Sequence, residues 1–128
     1  MTCFWDGIIK SLDKEDCDLL GLKDRNLYTL IDQLKTLNCP TIDMKWQNGP
    51  ITASQIDENM AHIKDYQRSS APQGYLWTSF DPFLFLLSFL LNKPVHMDCC
   101  GSAIKYEPKT HTKTPLKYRC NRGHFWHL

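Results

Sequence analysis

A cysteine near the start of the chain and two histidines near its end are the residue types best suited to nucleophilic chemistry. Cys3 begins the stretch CFWDGIIKSL, in which apolar residues recur at helical spacing, so the pattern predicts a helix beginning at Cys3 or Phe4. Backbone N–H groups at a helix N-terminus stabilise a thiolate, which is the nucleophilic form of cysteine. Cys3 is therefore a candidate nucleophile that needs a base from elsewhere in the fold.

The end of the chain, NRGHFWHL, supplies two candidate bases, His124 and His127. If this stretch is a strand, His124 and Trp126 face one way, whereas Phe125 and His127 face the other. A cysteine that opens a helix and a histidine on a distant strand form the arrangement of papain-like folds. The alternative interpretation is structural: a small buried thiol, and a histidine that merely packs in an aromatic edge strand.

A zinc site is a further alternative for the same residues. Cys120, His124 and His127, with Cys99 or Cys100, would supply four ligands of the type that zinc prefers. The spacings do not match the paired motifs of structural zinc sites, and the two histidines would face opposite ways on one strand. A small zinc-stabilised interaction module is thus the third hypothesis.

Composition and charge narrow the class of protein. The chain has 128 residues, which suits a single domain over 1–128, and its net charge of +1 gives no global attraction to nucleic acid or to an anionic membrane. Positive charge is concentrated in the last quarter, which is either a solvated face or a docking surface for an acidic partner. The cations concerned are Lys105, Lys109, Lys113, Lys117, Arg119 and Arg122.

The longest apolar run, Phe83 to Leu91, is far shorter than the roughly 20 residues of a membrane span. It predicts a helix that is buried on nearly all sides. We find no secretory signal pattern, so we expect a cytoplasmic protein whose six cysteines are reduced thiols.

The order of predicted elements is helices first and strands last, which indicates an α+β fold. The last predicted strands are separated by a polar loop at 107–115 and a turn at 120–123. We also expect Arg68–Gly74 to be a polar loop. Predicted helices are one from Cys3, then Lys14–Leu20, 27–37, one after the capping box at Thr52, and one after Pro82. Predicted strands are Met44–Gln47, Val95–Asp98, Ala103–Tyr106, Leu116–Arg119 and His124–Leu128.

Taken together and in order, five segments resemble the ovarian-tumour (OTU) family of cysteine deubiquitinases. CFWDGI is similar to the cysteine motif that opens the central helix of that family, and the histidine motif of the family is similar to the RGHFW stretch. The resemblance spans nearly the whole chain. Its segments are CFWDGI (3–8), TASQIDENMAHI (52–63), GYLWTSFDPFLFLLSFLLNKPVHM (74–97), AIKYEP (103–108) and LKYRCNRGHFWHL (116–128).

The resemblance implies a papain-like OTU-type domain with N-terminal helices packed on a small C-terminal β-sheet. It implies Cys3 as nucleophile and His124 as general base; His127 fits less well, because the family's histidine precedes the aromatic residue. The implied reaction is hydrolysis of isopeptide bonds of ubiquitin or a ubiquitin-like modifier through an acyl-enzyme, without a cofactor. The implied partner is ubiquitin or a relative, bound by a monomer, with neither nucleic acid nor membrane involved.

Two departures from the family pattern leave the third catalytic member open. The family has Asp-Gly-x before the cysteine, where this chain has Met1 and Thr2, and often Asp or Asn where this chain has Trp126. Supporting roles therefore fall to Asn121, to Trp126, or to the α-amine of Thr2 after removal of the initiator methionine. The main alternative is a catalytically inactive relative that binds ubiquitin or another protein. A domain this small suits a virus or an intracellular bacterium, acting in the host cytoplasm.

Overall fold

Helices and a mixed sheet make up the part of the chain that the structure, a computed structural model, describes: residues 2–128. Met1 lies outside these residues, and so does the prediction that it is removed. The helices are α1 (Cys3–Ser11), α2 (Lys14–Leu20), α3 (Leu27–Thr36), α4 (Ala53–Asp65), a 3-10 helix (Arg68–Gln73) and α5 (Pro82–Leu91). The strands are β1 (Met44–Trp46), β2 (Gly49–Pro50), β3 (Val95–Cys99), β4 (Ser102–Pro108), β5 (Leu116–Asn121) and β6 (His124–His127).

Local capping signals explain several of the helix ends, and the predicted helix positions are confirmed. The side chain of Asn26 accepts a hydrogen bond at the start of α3, and Thr52 and Gln55 form a capping box at the start of α4. Gly21 ends α2 in the left-handed conformation with φ 69°. The polar loop predicted at Arg68–Gly74 is instead a 3-10 helix with Pro72 inside it.

The six strands form one sheet in the order β2-β1-β4-β3-β5-β6. Strands β3 and β5 are parallel, and the other neighbours are antiparallel. The mixed α+β class is confirmed, but the sheet is not confined to the C-terminal part of the chain. The β1–β2 hairpin, which lies between α3 and α4, pairs with β4 and extends one edge. Short hairpins rarely hold alone, so β1 depends on this pairing.

The core lies between the helices and one face of the sheet. Helix α5 is buried along nearly its whole length, as its apolar sequence predicts. Trp5 has no exposed surface, and its ring packs edge-on against Phe83 of α5 with 4.9 Å between ring centroids. The aromatic residues after Cys3 therefore anchor the start of the chain in the core.

Two cysteines form a disulfide, which corrects the prediction that all six are reduced thiols. Cys99 of β3 and Cys120 of β5 lie directly opposite each other in the parallel ladder, with 4.6 Å between their Cα atoms. Sequence reasoning gave no reason to pair these two residues, because only the ladder brings them together.

The helices in residues 2–128 include none that is long and apolar enough to cross a membrane.

Candidate active site

Helix α1 lies along the edge strand β6, and a glycine sets how close the two elements come. A Cβ atom added at Gly7 would lie 2.9 Å from Cδ1 of Phe125 and 3.5 Å from the Cα of Trp126. One turn earlier, the ring of Phe4 packs against Phe125 with 4.8 Å between centroids. This close approach holds the N-terminus of α1 against the β5–β6 hairpin.

The Cys3 thiol meets the hairpin at the residue before His124. Cys3 is half-buried, and its Sγ donates a hydrogen bond to the carbonyl oxygen of Gly123 at 3.7 Å. That oxygen and the Cα of His124 belong to one planar peptide unit, so the sulfur lies within about 6.5 Å of the His124 Cα. Two residues 120 positions apart in the chain thus meet at one point.

The His124 side chain is exposed and lies directly across the ladder from Asn121. Phe125 is buried against the helices, so the alternation predicted from the sequence is confirmed: His124 and Trp126 lie on the other face. Within residues 2–128, the hydrogen bond of the Cys3 thiol goes to a carbonyl oxygen rather than to a histidine ring. Strand β6 is an edge of the sheet, and His124 lies on its face away from the helices.

His127 lies at the opposite end of α1. It is paired with Tyr118, whose ring lies 6.2 Å from the His127 ring and whose hydroxyl is 2.6 Å from Oγ of Ser11. Ser11 is eight residues after Cys3, which corresponds to about 12 Å along a helix axis. A groove between α1 and β6 connects the two ends, so His127 shares this groove with Cys3 without adjoining the thiol.

A larger cleft of about 410 Å³ opens on the other side of Cys3. One wall is the segment 73–77, and the opposite wall is the hairpin segment 121–123 together with Cys100. Gly74 has φ 92° and ψ 154°, a conformation that glycine adopts far more easily than other residues. Leu76, two residues after Gly74, is 87% exposed at the mouth of the cleft.

A buried carboxylate holds the 73–77 wall in place. The Tyr75 hydroxyl donates to Oδ2 of Asp81 at 2.9 Å, and the Thr78 N–H donates to the same oxygen at 3.1 Å. Oδ1 of Asp81 accepts from the N–H groups of Phe83 and Leu84, the start of α5. Burial raises the pKa of Asp81 to about 6, although these hydrogen bonds act in the opposite direction. Burial also raises the pKa of Tyr75, which stays a neutral donor.

The N-terminus of α1 has no such side-chain cap. Thr2 precedes the helix, but its Oγ1 donates to Oδ2 of Asp6 at 2.7 Å and makes no cap bond. The N–H groups of Cys3 and Phe4 therefore receive no acceptor from Thr2. Such N–H groups can bind an oxyanion that develops beside the thiol.

The zinc hypothesis does not fit this geometry. Cys120 is bonded to Cys99, and the part of the chain from Thr2 onward has no group of three or more His, Cys, Asp or Glu side chains placed to hold a metal ion. His124 and His127 lie on opposite faces of β6. Cys120, His124 and His127 therefore cannot bind one tetrahedral zinc ion together.

Sequence reasoning missed two parts of the cleft. Cys100, in the turn between β3 and β4, lines the cleft with Cys3, and Arg122 lines it from the hairpin. Cys100 has φ 55°, an unusual value for a residue other than glycine, but no sequence pattern marks such a position.

No protein-family model, curated protein or solved structure matches the chain.

Proposed function

We propose that this protein is a cysteine hydrolase that cleaves isopeptide bonds of ubiquitin or a ubiquitin-like modifier, with Cys3 as nucleophile and His124 as general base. The observation that carries the proposal is the contact of the Cys3 thiol with Gly123, immediately before His124. The substrate class rests on the resemblance of the ordered segments to the OTU family.

The reaction begins when the His124 ring accepts the Cys3 proton and the thiolate attacks the carbonyl carbon of the scissile bond. The carbonyl oxygen becomes an oxyanion, which the N–H groups at the start of α1 stabilise. The imidazolium then returns the proton to the amine as the C–N bond breaks, which leaves a thioester on Cys3. Water, deprotonated by His124, attacks the thioester and releases the carboxylate product.

His124 acts after its ring turns toward the sulfur. The separation of at most about 6.5 Å from sulfur to Cα lies within the sweep of a histidine ring about χ1. Asn121, directly across the ladder and lining the cleft, is placed to hold the ring once it has turned. Asn121 is thus a positioning residue, in the role that the missing family Asp or Asn would have had at Trp126.

The cleft suits an extended, narrow chain end. Segment 73–77 forms one side, with Gly74 offering backbone that a ligand can approach closely, and the hairpin forms the other. Leu76 at the mouth would contact the body of the protein whose tail enters the cleft. Arg122 adds a positive charge on the same side as Asn121.

The test is covalent labelling with ubiquitin that carries an electrophile in place of its C-terminal carboxylate. We expect wild-type protein to form an adduct and Cys3→Ala to form none. Cys100→Ala is the matched control, because Cys100 is an exposed free thiol in the same cleft. An adduct that persists in Cys3→Ala and disappears in Cys100→Ala would overturn the assignment of the nucleophile.

A catalytically inactive binder is the second candidate. It is favoured by the hydrogen bond of Cys3, which goes to the carbonyl of Gly123 and not to a histidine. For that function we expect no labelling of the wild type, together with a saturable complex with unmodified ubiquitin in calorimetry. Loss of that complex in Leu76→Ser would place the binding surface at the same cleft.

A further inference from the structure

The sheet face opposite the helices carries a row of basic side chains on three adjacent strands. His96 of β3 lies directly opposite Lys105 of β4 on one side and Lys117 of β5 on the other. Directly opposite residues point to the same face, so the three side chains form a line about 10 Å long across two strand spacings. The buried residues of these strands alternate with them and face the helices.

The two lysines of this row lack the acidic neighbours that most other basic residues in the last quarter of the chain have. Most of the others have an acidic neighbour or line the cleft of Cys3: the ion pairs are Lys109–Asp43, Lys113–Glu15 and Arg119–Asp98, and Arg122 is in the cleft. Among residues 2–128, no carboxylate lies within ion-pair distance of the Lys105 or Lys117 ammonium group.

All three side chains of the row line one surface cavity of about 180 Å³. Leu128 closes one side of it, and the N–H of Leu128 donates to the carbonyl oxygen of Lys117 at 3.0 Å. Asp98 also lines the cavity, but its carboxylate is 3.6 Å from Nε of Arg119. The cavity is lined mainly by apolar surface, and the two lysines and the histidine of the row border it.

The His96 ring lies between the two lysines, directly opposite each of them on the neighbouring strands. Burial, and then the positive charge of Lys105, lower the pKa of His96; Glu107 acts in the opposite direction, and Lys117 and His111 add to the lowering. The carboxylate of Glu107 is itself 3.5 Å from the His111 ring. A bound anion would offset the positive charge that Lys105 and Lys117 place on either side of the His96 ring.

We propose that the row Lys105–His96–Lys117 is a binding site for an oxyanion, carried by a ligand as a phosphate or a carboxylate group. The two ammonium groups supply charge from both sides, and the His96 ring supplies an N–H donor at the centre. The site lies on the sheet face rather than in the cleft of Cys3, so it does not depend on the proposed hydrolysis.

The test follows the His96 ring by NMR while inorganic phosphate or glutarate is added at constant ionic strength, with sodium chloride as the balancing salt. The His96 resonance is assigned with His96→Gln. We expect saturable binding that raises the pKa of His96, because a bound anion stabilises the imidazolium. Saturation by phosphate alone assigns a phosphate ligand, saturation by glutarate alone assigns a carboxylate, and saturation by both supports the shared oxyanion chemistry.

Two double variants separate this site from a general effect of charge. Lys105→Gln with Lys117→Gln should abolish the saturable response and should raise the pKa of His96 in chloride alone. Lys109→Gln with Lys113→Gln removes the same charge from lysines that have acidic neighbours, and it should respond as the wild type does. Should the first double variant lose its fold, Lys117→Gln alone replaces it and is expected to weaken binding.

Two outcomes would overturn the proposal. One is that neither anion gives a saturable shift beyond that of chloride. The other is an equal loss of the response in the two double variants, which would mean that net charge rather than the row attracts the anion.

Discussion

The first backbone N–H groups of α1 and of α5 have different surroundings. At α5, both oxygens of Asp81 are engaged by N–H groups and by the Tyr75 hydroxyl, all within the core. At α1, Thr2 leaves the first N–H groups without a side-chain cap, beside a thiol and an open cleft. A capped helix start stabilises the fold, whereas an uncapped one that faces a cleft is free to bind a ligand or a developing charge.

The largest expected effect tests whether the α1 end performs chemistry. His124→Gln should lower the rate of labelling by the ubiquitin electrophile by about 100-fold or more, because general-base catalysis contributes about that much. His127→Gln is the matched control, since His127 lies at the other end of α1, and its rate should stay near that of the wild type. A slow His127→Gln with a fast His124→Gln would reverse the assignment of the base.

Removing the cap of α5 should have the next largest effect, and on stability rather than chemistry. Asp81→Ala leaves several buried N–H groups and the Tyr75 hydroxyl without an acceptor, at a cost of roughly 2–4 kcal/mol in the free energy of unfolding. Urea denaturation measures this loss. A cost below about 1 kcal/mol, the usual value of an ordinary exposed cap, would show that the buried network is not needed.

The same carboxyl group predicts a pH dependence. The folded pKa of Asp81, about 6, is above the ordinary value of 3.8 for an aspartate side chain, so its protonation favours the folded state. This contribution to stability is fully present below about pH 4 and is lost as the pH rises through about 6. Asp81→Asn should flatten that part of the stability profile relative to the wild type, measured by urea denaturation between pH 4 and pH 7. Parallel profiles would contradict the raised pKa.

A smaller effect is expected from separating α1 from β6. In Gly7→Ala the new Cβ would lie 2.9 Å from the Phe125 ring, so helix and strand must move apart. Overpacking of this kind typically costs about 1–3 kcal/mol, and here it should also slow labelling of Cys3. Gly49→Ala is the control, because a Cβ there would have its nearest neighbour at 3.7 Å. Equal losses in the two variants would mean that Gly7 has no special role.

The smallest effect compares two threonines at helix starts. Thr52 accepts from the Gln55 N–H in a capping box, so Thr52→Ala should cost about 1 kcal/mol. Thr2 makes no cap bond, and Thr2→Ala removes only its hydrogen bond to the Asp6 carboxylate, so the loss in thermal denaturation should be about 0.5 kcal/mol. A larger loss for Thr2 than for Thr52 would contradict this order.

Local patterns made much of the fold predictable. Helix α2 spans the predicted Lys14–Leu20 and ends at Gly21, and α5 is buried as its strongly apolar sequence predicts. These features depend on residues a few positions apart, whose side chains contact the same turn of backbone. The β1–β2 hairpin was predicted only as a strand, because its place in the sheet depends on pairing with β4, far along the chain.

The candidate site divides in the same way. The residue types of Cys3 and His124 and their place at a helix start and in a strand are determined by the sequence alone, because helical periodicity and strand alternation are local. Only the tertiary structure decided that Gly123 meets the Cys3 thiol, that Cys99 and Cys120 are bonded, and that Cys100 lines the cleft. The disulfide depends on strand register, and the contact of Gly123 with the Cys3 thiol depends on the close approach of α1 to β6 that Gly7 allows. Both are set by packing between distant segments.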